Sequence, residues 1–387
     1  MRNKSKSKTQ KATVRTRRKY DFLIDMAVDP EALAAFRRDP EATLAEAGLS
    51  KAERQALRKG SAWPICTHPK KPVCPHPKTQ SPAGVTGGEA LFEWPVCPQL
   101  PGTLPHPKTQ LPPSVKGGAA VIEQTGGPLD KEGLTVVGLG IRSLQTTPEA
   151  RVCIEQASKV LYLAGDPVSE AFICRLNPTA QTLDNFYQKG KARMKIYNRM
   201  VEKILSCLEK SGDLCVVFYG HPGVLCYPGL EAVRRARLKG VSARMLPGVS
   251  AEDNLIADLG IETASLQSYE ATAFLIYGYR FDTSAGLLLW QLDVLGETRW
   301  NPPHKKVPGR LKVLVDYLAG FYGRHHHVYL YRAAEIPIAQ PLIKRLPLSD
   351  LAGSESVGGS TLYVPHKGLP NLDSDMVKKL GMEWGAQ

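Results

Sequence analysis

Leu134-Thr135-Val136-Val137-Gly138-Leu139-Gly140 decides the fold: four apolar or β-branched residues run straight into a glycine-flanked loop. An unbroken run of this kind, without polar alternation, is the pattern of a strand covered on both faces. Two more runs follow the same plan. Val160 to Ala164 leads into Asp166-Pro167, and Leu214 to Tyr219 leads into Gly220-His221-Pro222-Gly223. Met194 to Leu208 and Gly229 to Leu238 have the spacing of amphipathic helices. Strand, loop and helix in this order predict a parallel sheet covered by helices, with ligands at the carboxyl ends of the strands. Beyond Gln267, Ala273 to Tyr277, Leu287 to Gln291, Val328 to Arg332 and Thr361 to Val364 read as strands of a second α/β unit. The expected fold class is therefore α/β and two-lobed, with lobes over 131–250 and 251–387.

Towards the N-terminus the pattern changes twice. Over 21–62, Phe22, Leu23, Met26, Leu33 and Phe36 recur near a helical period, broken by Asp-Pro at 29–30 and 39–40. Asp before Pro is a good helix N-cap, with the proline at the first helical position. Gly48 ends one helix, and Ser50 with Glu53 forms a capping box for the next. A helical bundle of about forty residues barely supports itself and is expected to dock on something larger. Residues 63–130 instead hold an internal repeat. Trp63-Pro64-Ile65-Cys66 returns as Trp94-Pro95-Val96-Cys97, His76-Pro77-Lys78-Thr79-Gln80 returns as His106-Pro107-Lys108-Thr109-Gln110, and Gly87-Gly88 returns as Gly117-Gly118. Two Pro- and Gly-rich copies are too few and too irregular to stack as a solenoid. Each Gly-Gly precedes a short apolar stretch, Ala90-Leu91-Phe92 and Ala119-Ala120-Val121-Ile122. A duplicated, flexible segment with two similar apolar stretches resembles a substrate sequence, the competing reading being a linker that arose by duplication.

Charge and cysteines bound the class of protein. The net charge of +13 is concentrated at the start, since residues 1–20 hold nine Lys or Arg and no acid. Such a segment reads as a disordered basic arm. No aromatic residue before Tyr20 interleaves the charges as a base-stacking surface requires, so a solubilising tail is preferred over nucleic-acid binding. The sequence has no run of eighteen apolar residues and no apolar signal core, which points to a soluble, cytoplasmic protein with no membrane partner. Eight cysteines, five of them scattered from Cys153 to Cys226, suit buried thiols better than a disulfide framework. Cys66-Thr67-His68 and Cys74-Pro75-His76 have zinc-ligand chemistry, but Cys97 in the second copy has no histidine two positions on, so no metal is assigned. His325-His326-His327 fits a strand entrance, because adjacent strand residues point to opposite faces.

The loops carry a resemblance. Gly138-Leu139-Gly140 alone is a weak signal, lacking the third glycine of a dinucleotide fingerprint. More distinctive are Tyr187-Gln188-Lys189-Gly190-Lys191-Ala192-Arg193 with Tyr197, Phe218-Tyr219-Gly220-His221-Pro222-Gly223-Val224, and Ala243-Arg244-Met245-Leu246-Pro247-Gly248-Val249-Ser250-Ala251-Glu252-Asp253. Tyr269-Glu270-Ala271 and Ser360-Thr361-Leu362-Tyr363-Val364-Pro365 complete the set. Together these motifs resemble the tetrapyrrole methylase-like fold, and within it the borosin peptide backbone N-methyltransferases. The segment from about 21 to 63, with Asp29-Pro30, Asp39, Leu49 and Ser61-Ala62-Trp63, is similar to the small domain preceding the core peptide in that family. In the best-known fused members the methyltransferase comes first; here the order is reversed. Roughly seventy residues of flexible chain would still span on the order of 45 Å, giving an attached peptide a local concentration in the millimolar range.

The resemblance implies S-adenosylmethionine as methyl donor, self-methylation of the attached segment, and a homodimer acting in trans. It assigns Tyr187, Arg193, Tyr197 and Tyr219 to the catalytic pocket, and Gly138, Gly140, His221, Gly223, Val224, Ala251, Gln291, Ser360 and Thr361 to the donor. A peptide nitrogen is a poor nucleophile because its lone pair is delocalised into the carbonyl. A tyrosinate beside a cation would remove the N–H proton and stabilise the resulting charge, so Tyr187 is expected as base, acidified by Arg193, with Tyr197 and Tyr219 positioning the amide. If a helix starts near Arg193, Arg193 and Tyr197 share one face. Prolines have no amide proton, which leaves Leu91, Phe92, Val121 and Ile122 as acceptor candidates. The alternatives are a small-molecule methylase of the tetrapyrrole class with an unrelated N-terminal extension, and a basic RNA-binding protein on the same scaffold.

Overall fold

The computed structural model describes residues 22, 25–26, 30–51, 54, 132–301, 308–335, 339–354 and 358–382. The basic arm, the repeat segment with Leu91, Phe92, Val121 and Ile122, the Cys-x-His units and the Glu53 half of the capping box lie outside the described residues. The chain divides into two compact units. One comprises the chain up to Asn254 with Ala333–Gln340; the other comprises Leu255–Arg332 and Pro341–Gln387. No helix among the described residues is long and apolar enough to cross a membrane.

The first unit is built on five strands: β1 (Gly133–Gly138), β2 (Lys159–Leu163), β3 (Gln181–Thr182), β4 (Asp213–Phe218) and β5 (Ala243–Leu246). Their order is β3-β2-β4-β1-β5, every pairing is parallel, and Val136 sits between Val216 and Met245. β1, β2 and β4 are the strands predicted from the apolar runs, whereas the edge strands β3 and β5 were not among them. Helices cap themselves as the strands end. After β1, Thr147 accepts from the Ala150 N–H and Pro148 opens a helix to Gln156. After β2, Asp166 accepts from the Val168 and Ser169 N–H groups, and Pro167–Leu176 forms a second, called here the anchor helix. The long helix Arg193–Ser211 buries Ile196, Met200, Val201, Ile204, Leu205, Cys207 and Leu208 along one stripe and stops at Gly212, whose φ of 70° suits glycine. Tyr227–Leu238 follows β4.

Two short helices precede the sheet, Pro30–Arg38 and Pro40–Glu46, the latter capped by the Asp39 carboxylate on the Ala42 N–H at 3.0 Å. They do not stand alone. Met26, Leu44 and Leu49 pack on Val168 and Ala171 of the anchor helix, with Phe22, Phe36, Ala47 and Ala339 around them. The docking expected of so small a bundle is thus supplied by the sheet unit's own helix.

The second unit holds β6 (Leu266–Glu270), β7 (Gly286–Trp290), β8 (His327–Arg332), β9 (Leu342–Pro347) and β10 (Thr361–Val364), ordered β6-β7-β10-β8-β9. Only β6 and β7 run parallel; the other pairs are antiparallel. Ala273 to Tyr277, expected as a strand, is instead part of the helix Ala271–Tyr277. The Glu270 carboxylate takes the Thr272 and Ala273 N–H groups at 2.9 and 2.7 Å, and left-handed Gly278 ends the turn, so capping overrides an ambiguous apolar run. β6 and β9 were missed because both are edge strands with mostly half-exposed or exposed residues. The histidine run does open β8: His327 is its first residue, and His326 Nε2 lies 2.9 Å from the Pro365 carbonyl. Cys153, Cys207, Cys215 and Cys226 are free thiols as expected, whereas Cys174 is disulfide-bonded, which corrects the expectation at that position.

Leu44 is fully buried in the docking cluster, whereas the Arg175–Asp25 ion pair at 2.7 Å beside it leaves both side chains about half exposed. Leu44→Ala is therefore expected to speed amide exchange of residues 31–46 by about thirtyfold or more, from a loss of about 2–4 kcal/mol. Arg175→Ala should change it by less than about fivefold.

Candidate active site

Four loops leave the carboxyl ends of the first sheet, and glycine sets how closely three of them meet. A Cβ on Gly248 would lie 2.7 Å from the Gly138 Cα and 2.5 Å from the Gly220 carbonyl oxygen; one on Gly138 would meet Gly220 and Gly248 backbone at 2.6 and 2.7 Å. Only glycine permits such an approach. Gly140 and Gly220 are joined by reciprocal backbone bonds of 3.3 and 2.8 Å, and both have positive φ. Gln145 braces this crossing. Its Oε1 accepts from the Ile141 and Arg142 N–H groups, and its Nε2 donates to Asn254 Oδ1 at 2.7 Å. Asn254 donates in turn to the Ser250 carbonyl, while Asp253 accepts from the Ser250 N–H and hydroxyl. Gly138, Gly140, His221, Gly223, Val224 and Ala251 all fall on these loops. His221 Nδ1 accepts from the Gly223 N–H at 2.9 Å, so a neutral ring carries its proton on Nε2.

The fourth loop, after β3, carries the tyrosine motif. A 3-10 turn over Asp184–Phe186 leads to Tyr187, whose N–H donates to the Asp184 carbonyl. The long helix begins at Arg193, so Arg193 and Tyr197 lie one turn apart on one face, the condition set by the spacing. Tyr187 is held near Tyr197, Tyr219, Asp184 and Arg193, all of which act on its ionisation. Tyr219 follows β4, donates its N–H to the Leu163 carbonyl, packs by Gly165 and is 53% exposed. The Tyr197 ring lies 6.4 Å from Tyr227, which donates to Asn198, and Arg199 sits over the Phe186 ring at 5.5 Å. The four expected catalytic residues are thereby gathered around one phenol. The expected acidification is corrected: burial pushes the Tyr187 hydroxyl well above the ordinary tyrosine value, Tyr197, Tyr219 and Asp184 push the same way, and Arg193 opposes them with the smallest effect.

Gln291, Ser360 and Thr361 belong to the second unit. Extending the β7–β10 register by two residues sets Ser360 opposite Gln291 at one end of that pair. Gln291 has a φ of 61° and Leu225, beside Val224, one of 50°; among the described residues they alone combine a side chain larger than glycine's with positive φ. Strain of this kind concentrates where function holds it. Gly220, Gly248, Gln145, Asn254 and Leu225 were not singled out from the sequence. The Gly-Val-Ser-Ala-Glu-Asp run contained the signal for Gly248, but no spacing marks a brace between residues 145 and 254.

Residues 133–334 match the family described as Tetrapyrrole (Corrin/Porphyrin) Methylases. The chain belongs to the tetrapyrrole methylase family. Residues 9–76 match the Borosin biosynthesis clasp domain, a stretch that precedes the methylase match and runs into the first repeat copy. The chain is 39% identical over 254 residues to a methyltransferase/ribosomally synthesized cyclic peptide gymnopeptides precursor of Gymnopus fusipes, covering 64% of this chain and 60% of that one. It is equally similar to the dendrothelin A precursor of Dendrothele bispora and the omphalotin A precursor of Omphalotus olearius, each matched over 64% of this chain and 61% of the relative. The chain thus spans about three fifths of the length of these relatives. Among solved structures, the cobalt precorrin-4 methyltransferase is 17% identical with a TM-score of 0.44, covering 60% of this chain and 94% of that one.

The glycine crossing leaves no space for a side chain. Gly248→Ala is expected to destabilise the methylase unit by about 3 kcal/mol or more, since backbone faces the new methyl on two sides. Gly309→Ala, where nothing lies within 4 Å of the added Cβ, should be neutral or slightly stabilising. Thermal unfolding of the two variants checks the contrast.

Proposed function

We propose that the chain uses S-adenosylmethionine to methylate backbone amide nitrogens of its own segment 63–130, yielding a ribosomal N-methylated peptide. The observation that carries this reading is the gathering of three tyrosines and Arg193 at the carboxyl ends of a methylase sheet, in a chain that also bears a clasp match. The similar precursor fusions support it.

The residues present fit the donor. Neither Lys nor Arg comes from the 219–224 loop to repel a cation, and His221 there turns its Nδ1 to the Gly223 N–H as an acceptor. Arg142 Nε is buried without a hydrogen-bond acceptor, a donor suited to a carboxylate. The bound donor supplies a methyl carbon on a cationic sulfur. Gly138, Gly140, His221, Gly223, Val224 and Ala251, all on loops of the first unit, would hold it. Tyr187, as phenolate, would take the proton of the amide nitrogen as that nitrogen is methylated, and the donor would leave as the neutral thioether. A phenolate whose proton affinity is raised by burial is the stronger base for so weak an acid. Arg193 stabilises negative charge on the phenolate and on the amide oxygen, and Tyr197 and Tyr219 fix the amide plane. The same proposal includes a homodimer in which each subunit acts on its partner's segment.

Intact mass of the purified chain incubated with donor should show increments of one methyl, confined by tandem fragmentation to residues 63–130. An unaltered mass after long incubation sinks the proposal. Tyr187→Phe should abolish the increments, and Arg193→Ala should slow them by about a hundredfold or more. Because the Tyr187 pKa is raised, the phenolate fraction grows tenfold per pH unit, and log rate should climb with a slope of about +1 from about pH 7 to about pH 9. A flat profile would remove Tyr187 as the base.

A further inference from the structure

The loop after Tyr187 and the helix start beyond it are basic. Lys189, Lys191 and Lys195 are exposed, and none forms an ion pair among the described residues, nor does any acid lie in the first turn of the helix that follows. Arg199 is engaged over Phe186. Lys189 and Lys191 stand two and four residues beyond Tyr187, hence at most about 7 and 14 Å from it along the chain, with Gly190 turning at a φ of 81° between them. The acids of segment 63–130 show the complementary pattern. There are four, Glu89, Glu93, Glu123 and the terminal Asp130, and the three glutamates each adjoin an apolar stretch. The two copies differ at many positions, yet Glu93 closes Ala90-Leu91-Phe92 as Glu123 closes Ala119-Ala120-Val121-Ile122.

We propose that Lys189 and Lys191 set the register of the acceptor peptide by pairing with the glutamate that closes each apolar stretch, Glu93 in one copy and Glu123 in the other. This rests on the reading of residues 63–130 as substrate. An extended chain advances about 3.3 Å per residue, so a carboxylate one to three residues past the reacting amide falls within reach of both ammonium groups. Opposite charges at an exposed rim add little affinity, but they fix which of several similar amides meets the phenol. The lysines are positioning residues: they act on where the peptide sits, not on the proton or the methyl group.

The duplication supplies an internal reference. In the full chain, Glu93→Gln should lower methyl incorporation in residues 87–93 by about fivefold relative to 117–123, and Glu123→Gln should do the reverse. Lys189→Glu with Lys191→Glu should lower both copies, and adding Glu93→Lys to that background should restore the first copy alone. Equal incorporation ratios in wild type, Glu93→Gln and Glu123→Gln would overturn the proposal, and because these changes lie outside the methylase unit their result stands even if the lysine variant fails to fold. Wild-type chains without methyl groups on residues 63–130 would overturn the substrate reading and this inference together; methylation with an unaltered copy ratio would overturn this inference alone.

Discussion

The molecule depends on one close approach: the backbones of Gly138, Gly220 and Gly248 meet where β1, β4 and β5 end. A methyl group on Gly138 or Gly248 would sit under 3 Å from peptide atoms that cannot rotate away. The approach lets the Gly140–Gly220 bridge form across the strand ends, and the bridge fixes the direction in which Tyr219 and His221 leave β4. It also brings the loop after β5 close enough for Asn254 to receive Gln145. The site is therefore a consequence of sheet geometry. Its side chains stand on loops whose paths are set by contacts that admit no alternative.

Within that frame the electrostatics are unusual. Burial resists ionisation of Tyr187, and Tyr197, Tyr219 and Asp184 near it add to the resistance. One guanidinium does not reverse this. A site arranged so keeps its phenol neutral until further positive charge arrives, and a sulfonium methyl donor is a cation. Under the proposed function, burial would make the phenolate the stronger base, and the charge of a sulfonium donor would favour its formation.

The sheet was legible in the sequence because strands buried on both faces leave unbroken apolar runs, and Val136, Val160 and Val216 lie in such runs. Edge strands leave no such trace, which hid Leu266–Glu270 and Leu342–Pro347. Ala273–Tyr277 misled for the opposite reason: an apolar run of strand length was turned into helix by a carboxylate three residues upstream of it. At the site, the tyrosines and arginine were legible through local spacing, since Arg193 and Tyr197 need only one helix to meet. The Gln145–Asn254 brace was not, because 109 residues separate its ends and neither belongs to a periodic pattern. The sign of the Tyr187 shift was misjudged because spacing reveals neighbours but not burial, and burial is the larger effect.

The anchor helix ties the clasp to the chemistry. Asp166 caps it immediately after Gly165, and Gly165 lies against the Tyr219 ring. Val168, which receives the clasp cluster, is three residues further on, at most about 11 Å along the chain from Gly165. The contacts that hold Leu44 and Met26 on this helix therefore sit a few residues from the loop that packs on Tyr219. The tether then need not be stiff or specific. A weak, register-setting charge contact suffices for selection when docking has already raised the local concentration of the peptide, because the entropic cost of bringing it there is met by apolar burial elsewhere. Under the proposed function, affinity and choice of amide would then belong to different surfaces of one chain.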